Sequence, residues 1–424
     1  ECRPQLAREM CARLDFAAGF GGLDQVVRAL PSAARGLAPG QPPQPAPPQA
    51  AAHGERVEQA LEFRSAGPVR VAFFIMAFAA IENLKRLVGR LKAPEHVFLV
   101  HLDRKASWRR TKELRTWADA EMNAIAAGGG ARVRVMAERF DVRRGGVSFL
   151  LVVLRGIEVL LGLTDFGTWE YFVNLNDNDY MLSTGAAFQA FLALHRSESF
   201  VHVGAPPSDG ACPEGAADCR KIDHLVFAHE CTHDGGLYAL LPADDELRHW
   251  FHPALPIWAG PDLVGLWRPL AAHLTTALRR RGSPADVLLR QLRTAQQPDE
   301  RFFQGFMLHA AGPLGRHSLL PVTFHLWDGR RLDSGEQLQR GGDPVQIYSP
   351  PFLRDSDENY TSLLNASLYV PSTHFARKFD ARRTAGLQRR LDRAAAAWVV
   401  PRWALVGPSA VWDVAALDAV VRAL

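Results

Sequence analysis

The chain carries little net charge, few cysteines, and no uninterrupted apolar run long enough to span a bilayer. Its 49 Lys and Arg against 45 Asp and Glu leave a formal charge of only +4. That balance excludes a general nucleic-acid binder but still allows a local basic cluster that holds phosphate. Five cysteines (Cys2, Cys11, Cys212, Cys219, Cys231) are too few for a disulfide framework, and their number is odd, which leaves room for one or two bridges. The apolar C-terminal stretch from Ala394 to Leu424 is broken by Arg402, Asp413, Asp418 and Arg422. No internal repeat is present. The chain begins at Glu1 rather than at a methionine, so an anchoring or targeting segment ahead of it remains compatible with the sequence.

One further absence concerns the first strand. Val69 to Phe78 is apolar almost throughout, as expected of a strand buried on both faces of a parallel sheet. The turn that follows, Ala77-Phe78-Ala79-Ala80-Ile81-Glu82, contains no glycine. A dinucleotide site needs glycine there to bring the pyrophosphate close to the helix N-terminus, so a dehydrogenase is excluded.

At 424 residues and 47% hydrophobic, the chain has ample material for one large domain with appendages. Residues 1–66 contain the run Pro42-Pro43-Gln44-Pro45-Ala46-Pro47-Pro48 and read as a stem or linker. The main domain is expected over 67–382, with a helical extension over 383–424. After the first strand, Ile81, Leu84, Leu87, Val88 and Leu91 fall on one helical face. Strands are expected at His96 to Leu102, Arg132 to Ala137 and Tyr171 to Leu175, with a helix over Val147 to Leu161 behind Gly145-Gly146. From Ala205 to Pro256 the pattern reads as loop. Helices return at Ser283 to Thr294, Asp299 to His309 and Thr384 to Ala397. The β-α-β-α-β alternation predicts a Rossmann-like, mostly parallel sheet flanked by helices, with ligands outside the carboxyl ends of the strands. Asp103, Asp177 and Asp179 are expected at that mouth.

Two segments carry chemistry. Pro298-Asp299-Glu300-Arg301-Phe302-Phe303 supplies a carboxylate, and Phe375-Ala376-Arg377-Lys378-Phe379-Asp380 supplies two adjacent cations. A base beside a hydroxyl and fixed positive charge beside a departing diphosphate are what sugar transfer from a nucleotide diphosphate requires. Alone, Glu300 could merely complement a helix dipole, and Arg377-Lys378 could be a solvated pair. The flanking Phe375 and Phe379 argue that the cations are pinned against a core. Asp177-x-Asp179 after a strand suits either a divalent cation bridging a diphosphate or an Asx turn. The cluster of Cys212, Cys219, His224, His229, Cys231 and His233 lacks zinc-finger spacing, and a loop disulfide explains its cysteines more simply. Two sequons, at Asn359 and Asn365, suit a chain facing the secretory lumen.

Taken in order, these segments resemble glycosyltransferase family 14, the core-2/I-branching enzyme family, and its peptide O-xylosyltransferases in particular. The resemblance runs from about Val69 to Asp380. It rests on Val71-Ala72-Phe73-Phe74-Ile75, Val100-His101-Leu102-Asp103-Arg104-Lys105, Gly145-Gly146, Trp169 to Leu175 with Asp179-Tyr180, and the two segments above. Arg220 to Leu225 with Glu230-Cys231 looks like the xylosyltransferase branch.

The resemblance implies a GT-A fold and an inverting transfer from a UDP-sugar to a protein or glycan, with no metal and no other cofactor required. It implies the Golgi or endoplasmic reticulum lumen, reached through a type II membrane anchor outside this chain. Glu300 then matches the general base. Phe78, Asp103, Asp177, Asp179, Arg377 and Lys378 are expected around the donor, with Arg377 and Lys378 on its diphosphate and Asp103 on its nucleoside. Gly260 and Asp262 are expected on the acceptor side. Two departures stand out: Gly260-Pro261-Asp262-Leu263 replaces the family's Gly-Ser-x-Trp, and Arg144 stands where a tryptophan is common. Transfer of N-acetylglucosamine or glucuronic acid to a glycan, and an inactive binding protein of the same fold, are the alternatives.

Overall fold

The computed structural model describes residues 67–164, 167–203, 258–293, 295–309, 311, 352–369 and 373–397, and the short strands at 227–230, 237–240, 317–318, 323–325, 337–339 and 344–346. All five cysteines, the Asn365 side chain and residues 1–66 lie outside this description.

The first third of the domain follows the hydrophobic pattern closely. Strand β1 (Val71–Ala77) is buried at every position and leads into helix α1 (Ile81–Leu91), whose buried face holds Ile81, Leu84, Leu87, Val88 and Leu91. Strand β2 (Val97–Leu102) is also buried throughout. Helix α2 (Trp108–Ala124), strand β3 (Arg132–Val135), helix α3 (Val147–Gly162) and strand β4 (Tyr171–Asn176) follow. Beyond β4 come β5 (Tyr180–Met181), helix α4 (Gly185–Leu194), β6 (Ser199–Val201), β7 (Phe227–Glu230), β8 (Leu237–Leu240) and β9 (Val264–Trp267). The stretch read as loop from Ala205 to Pro256 therefore contains the antiparallel pair β7 and β8.

The chain continues through α5 (Arg268–Arg279), α6 (Pro284–Leu292), α7 (Asp299–His309), β10 (His317–Ser318), β11 (Thr323–His325), β12 (Gln337–Gln339) and β13 (Pro344–Gln346). It then forms α8 (Asp357–Tyr369), β14 (Phe375–Arg377) and α9 (Ala385–Ala397).

The main sheet has the order β10-β6-β9-β4-β1-β2-β3. It is mostly parallel, as the alternation predicts. The exception is β9, which runs antiparallel to both β4 and β6. One face of the sheet carries α1, α2 and α4, and the other carries α3, α5, α6 and α7. On the second face the Phe74 ring lies so near α3 that a Cβ on Gly156 would come within 2.6 Å of it. Only glycine permits that approach.

The strand order places the site. From β1 the chain winds outward to β3, then returns through α3 to β4 on the other side of β1, so the direction of winding reverses between β1 and β4. A crevice opens at such a switch point, outside the carboxyl ends of the strands. The register pairs Ala77 with Leu102, and Met76 with Asn176. Phe78, Asp103 and Asp177 are therefore the first residues past three level strand ends. A smaller sheet, β11-β14-β5, lies against this edge and covers a third cluster formed by Tyr180, Leu363, Ala376, Phe379, Leu387 and Leu391.

Candidate active site

A cavity of about 290 Å³ opens at the switch point. Phe78, Asp103, Asp177, Asp179, Asp262, Glu300, Arg377 and Lys378 all line it. Residues from opposite ends of the chain thus meet in one cleft. Gly260 does not line it.

The β1–α1 turn without glycine has its own logic. The backbone N–H groups of Phe78, Ala79 and Ala80 all donate to Oδ2 of Asp177, at 2.8, 3.0 and 2.8 Å. In a dinucleotide fold such a turn would cradle phosphate; here the protein's own carboxylate occupies it. Burial pushes the Asp177 carboxyl up, and the three N–H groups oppose that by favouring the anion. Asp177 therefore shapes the cleft chiefly by fixing this turn.

Arg377 reaches the cleft through strand register. Ala376 pairs with Tyr180 and Phe375 with Met181 in the antiparallel β14–β5 contact, so the next step brings Arg377 opposite Asp179. Its Nε and Nη2 donate to the two Asp179 carboxylate oxygens at 2.8 and 3.0 Å, and Nη1 donates to Asp262 Oδ1 at 2.6 Å. Burial acts against the guanidinium charge, but the two carboxylates outweigh it and hold Arg377 firmly protonated. Asp179, fully buried, is pushed up by burial against the pull of Arg377. Phe375 and Phe379 are both fully buried and pin this strand, as their spacing implies.

The two adjacent cations thus have different surroundings. Arg377 binds carboxylates directly, whereas burial lowers Lys378 to about 7, helped by Arg144 and Arg377 and opposed by Asp262 and Asp179. Arg144 lines the same cavity.

At the other end, Asp103 Oδ1 accepts from the Lys105 backbone N–H at 2.7 Å, and its Oδ2 from Lys105 Nζ and the Val142 N–H at 3.0 and 3.1 Å. Lys105 Nζ also donates to Asp141 Oδ1 and to the Val142 carbonyl, both at 2.6 Å, and lies 6.0 Å from the centre of the half-exposed Phe78 ring. This end offers an aromatic face beside a cation. His101 lies behind it, lowered by burial to about 4, with its Nε2 accepting the Phe140 N–H at 3.0 Å.

Glu300 sits in the first turn of α7, whose Phe302, Phe303 and Phe306 are fully buried in the core. The loop ahead of the helix is tied in from both sides. The Gln297 N–H donates to the Gly145 carbonyl at 2.9 Å, and the Gly260 N–H to the Glu300 carbonyl at 2.8 Å. A Cβ on Gly260 would sit 1.9 Å from the His202 carbonyl oxygen, so this glycine is needed for packing behind Glu300. Asp262, expected on the acceptor side, is engaged with Arg377.

Asp299, Lys105 and Arg144 also line the cavity, although the sequence pattern assigns them no role. Asp299 adjoins Glu300, Arg144 adjoins Gly145, and Lys105 stands two residues beyond Asp103, and that proximity is the available signal. Among the described residues, no three His, Cys, Asp or Glu side chains group as metal ligands, and no helix is long and apolar enough to cross a membrane.

Comparison with known proteins agrees with the motif reading. Residues 71–211 match the family model described as core-2/I-branching enzyme. Xylosyltransferase 1 of Mus musculus is 28% identical over 145 residues, 34% of this chain and 14% of that protein. Xylosyltransferase 2 of Pan troglodytes is 31% identical over 167 residues, 39% of this chain and 17% of the relative. The chain thus spans less than a fifth of these relatives' lengths. The family match covers β1 to β6 with Asp103, Asp177 and Asp179, and stops short of Glu300, Arg377 and Lys378.

Proposed function

We propose that this relative of the core-2/I-branching enzymes is an inverting, UDP-sugar-dependent glycosyltransferase, and that its reaction is transfer of xylose from UDP-xylose to a serine hydroxyl of a protein. The supporting observation is the convergence of Glu300 and Lys378 on one cavity at the switch point of the sheet. The named relatives favour xylose over N-acetylglucosamine or glucuronic acid.

In this reading the acceptor oxygen attacks the anomeric carbon from the face opposite UDP, and its proton passes to Glu300. The bond from the anomeric carbon to the phosphate oxygen breaks, and UDP leaves with the electron pair, so one displacement inverts the centre. A positioned base contributes about 10² to 10⁴ in rate. Lys378, with Arg144 nearby, faces the charge that grows on the leaving diphosphate, and fixed charge in a cavity screened from water is the most effective way to stabilise it. Arg377 serves by holding Asp179 and Asp262 in place. The Phe78 and Lys105 end suits the nucleoside.

Catalysis without a metal belongs to the same proposal, because the carboxylates of Asp177 and Asp179 are already committed to backbone N–H groups and to Arg377. The lumen of the Golgi or endoplasmic reticulum, with a membrane anchor outside this chain, completes the reading. The test uses one preparation, UDP-xylose and a serine-glycine peptide. Glu300→Gln should bind UDP like the wild type and lose at least about a hundredfold in turnover, and wild-type turnover should survive excess EDTA. Near-normal turnover by the variant would remove Glu300 from its role. Loss in EDTA restored by Mn²⁺ would return Asp177 and Asp179 to metal binding.

A further inference from the structure

We propose that Phe352 is a positioning residue for Lys378, its ring face holding the ammonium at the wall of the cleft where the diphosphate of the donor lies. This deepens the reading above and rests on a nucleotide sugar occupying the cleft.

Among the described residues, four large apolar side chains are exposed: Phe78, Trp108, Met122 and Phe352. Two of them stand beside a lysine of the cavity. Lys105 Nζ lies 6.0 Å from the centre of the Phe78 ring, and Lys378 Nζ lies 5.9 Å from that of Phe352. Both fall within the roughly 6 Å over which a ring face attracts an ammonium. Phe352 owes its place to its neighbour. Leu353 is buried with Tyr180, Ala376 and Phe379, and its N–H donates to the Lys378 carbonyl at 2.8 Å. The segment is thereby fastened alongside Lys378, with Leu353 in the core and Phe352 left 42% exposed.

An aromatic face suits this task better than another acid would. Burial, Arg144 ahead of α3 and Arg377 of β14 oppose the charge on Lys378, while Asp262 and Asp179 favour it. Both of those acids are bonded to Arg377. A further carboxylate would compete with phosphate for the ammonium, whereas a ring attracts the positive charge without offering a strong hydrogen-bond acceptor. The ring therefore favours the charged form without claiming the N–H donors that phosphate oxygens need.

Calorimetric binding of UDP and uridine to the wild type, Phe352→Leu and Phe352→Tyr at pH 6 and pH 8 tests this. Leucine keeps the apolar bulk and removes the ring face. With Lys378 titrating at about 7, loss of the ring lowers its hold on the proton. Phe352→Leu should therefore weaken UDP about threefold at pH 8 and by less than about twofold at pH 6. Uridine should bind all three proteins alike, and Phe352→Tyr, which keeps the ring, should stay within about twofold of the wild type for UDP. A leucine variant that matches the wild type at both pH values, a loss of equal size at both, or a tyrosine variant as poor as the leucine one would overturn the assignment while leaving the donor reading intact. Weakened uridine binding by Phe352→Leu would overturn it too, as damage to the whole cleft. A wild type that binds no UDP at either pH would overturn both readings.

Discussion

Lys378 illustrates how burial and neighbouring charge tune a side chain for a ligand. Held at about 7 by burial and by Arg144 and Arg377, it is charged below that pH and largely neutral above it. A diphosphate favours the charged form, so UDP affinity should be greatest below about pH 7 and fall as pH rises. Binding at pH 8 should then take up close to one proton, measured by calorimetry in buffers of different ionisation enthalpy. Lys378→Met should abolish the uptake and weaken UDP; uptake that persists would place the titrating group elsewhere. The adjacency of Arg377 and Lys378 was legible in the sequence, but their division of labour was not. It depends on Asp179 and Asp262, one supplied by strand pairing and the other from 115 residues away.

Elements position these groups through backbone contacts that no periodicity reveals. The first turn of α7 leans on Gly260, whose N–H holds the Glu300 carbonyl while its missing side chain admits the His202 carbonyl. Gly260→Ala should therefore push α7 away from this wall. The expected result is a lower Tm and a drop of at least about tenfold in kcat, since small displacements at a reacting centre are costly, with UDP affinity near the wild type. Unaltered kcat would show that the wall does not set Glu300. Strands β1, β2 and β4 were legible because burial on both faces demands continuous apolar runs. Helix α2 was not, as only Leu114 and Ala118 on it are buried, too few to mark a stripe. The reversal of β9 was also invisible, because a short buried strand reads the same in either direction.

Across the whole molecule, the C-terminal helix is tied to the cleft it helps to build. Leu387 and Leu391 of α9 pack with Tyr180, Ala376 and Phe379 beneath β5 and β14. The Gln388 Nε2 donates to Asn83 Oδ1, and Asn83 Nδ2 donates to the Asp177 carbonyl at 2.6 Å and the Asp179 carbonyl at 3.2 Å. A chain of side-chain bonds thus links α9 through α1 to the loop that carries both aspartates. Leu387→Ala, which opens a void in this cluster, should cost about 2–4 kcal/mol in equilibrium unfolding and reduce the cooperativity with which the cleft and α9 melt. A loss below about 1 kcal/mol would mean that α9 packs only loosely on the domain.

Local chemistry fixed a good deal of this protein before any folding: an α/β alternation, apolar strands at the sheet centre, acids at strand ends, and a carboxylate and a pair of cations set in short aromatic frames. These features follow from the periods of helix and strand and from the cost of burying polar groups, both of which act over a few residues. Long-range pairing settled the rest. It turned Asp177 onto backbone amides, gave Arg377 to two carboxylates, left Lys378 poised near neutrality, and buried Asp299 beside Glu300. Each of those outcomes depends on which distant groups share a low-dielectric pocket, and a one-dimensional pattern carries no record of that proximity.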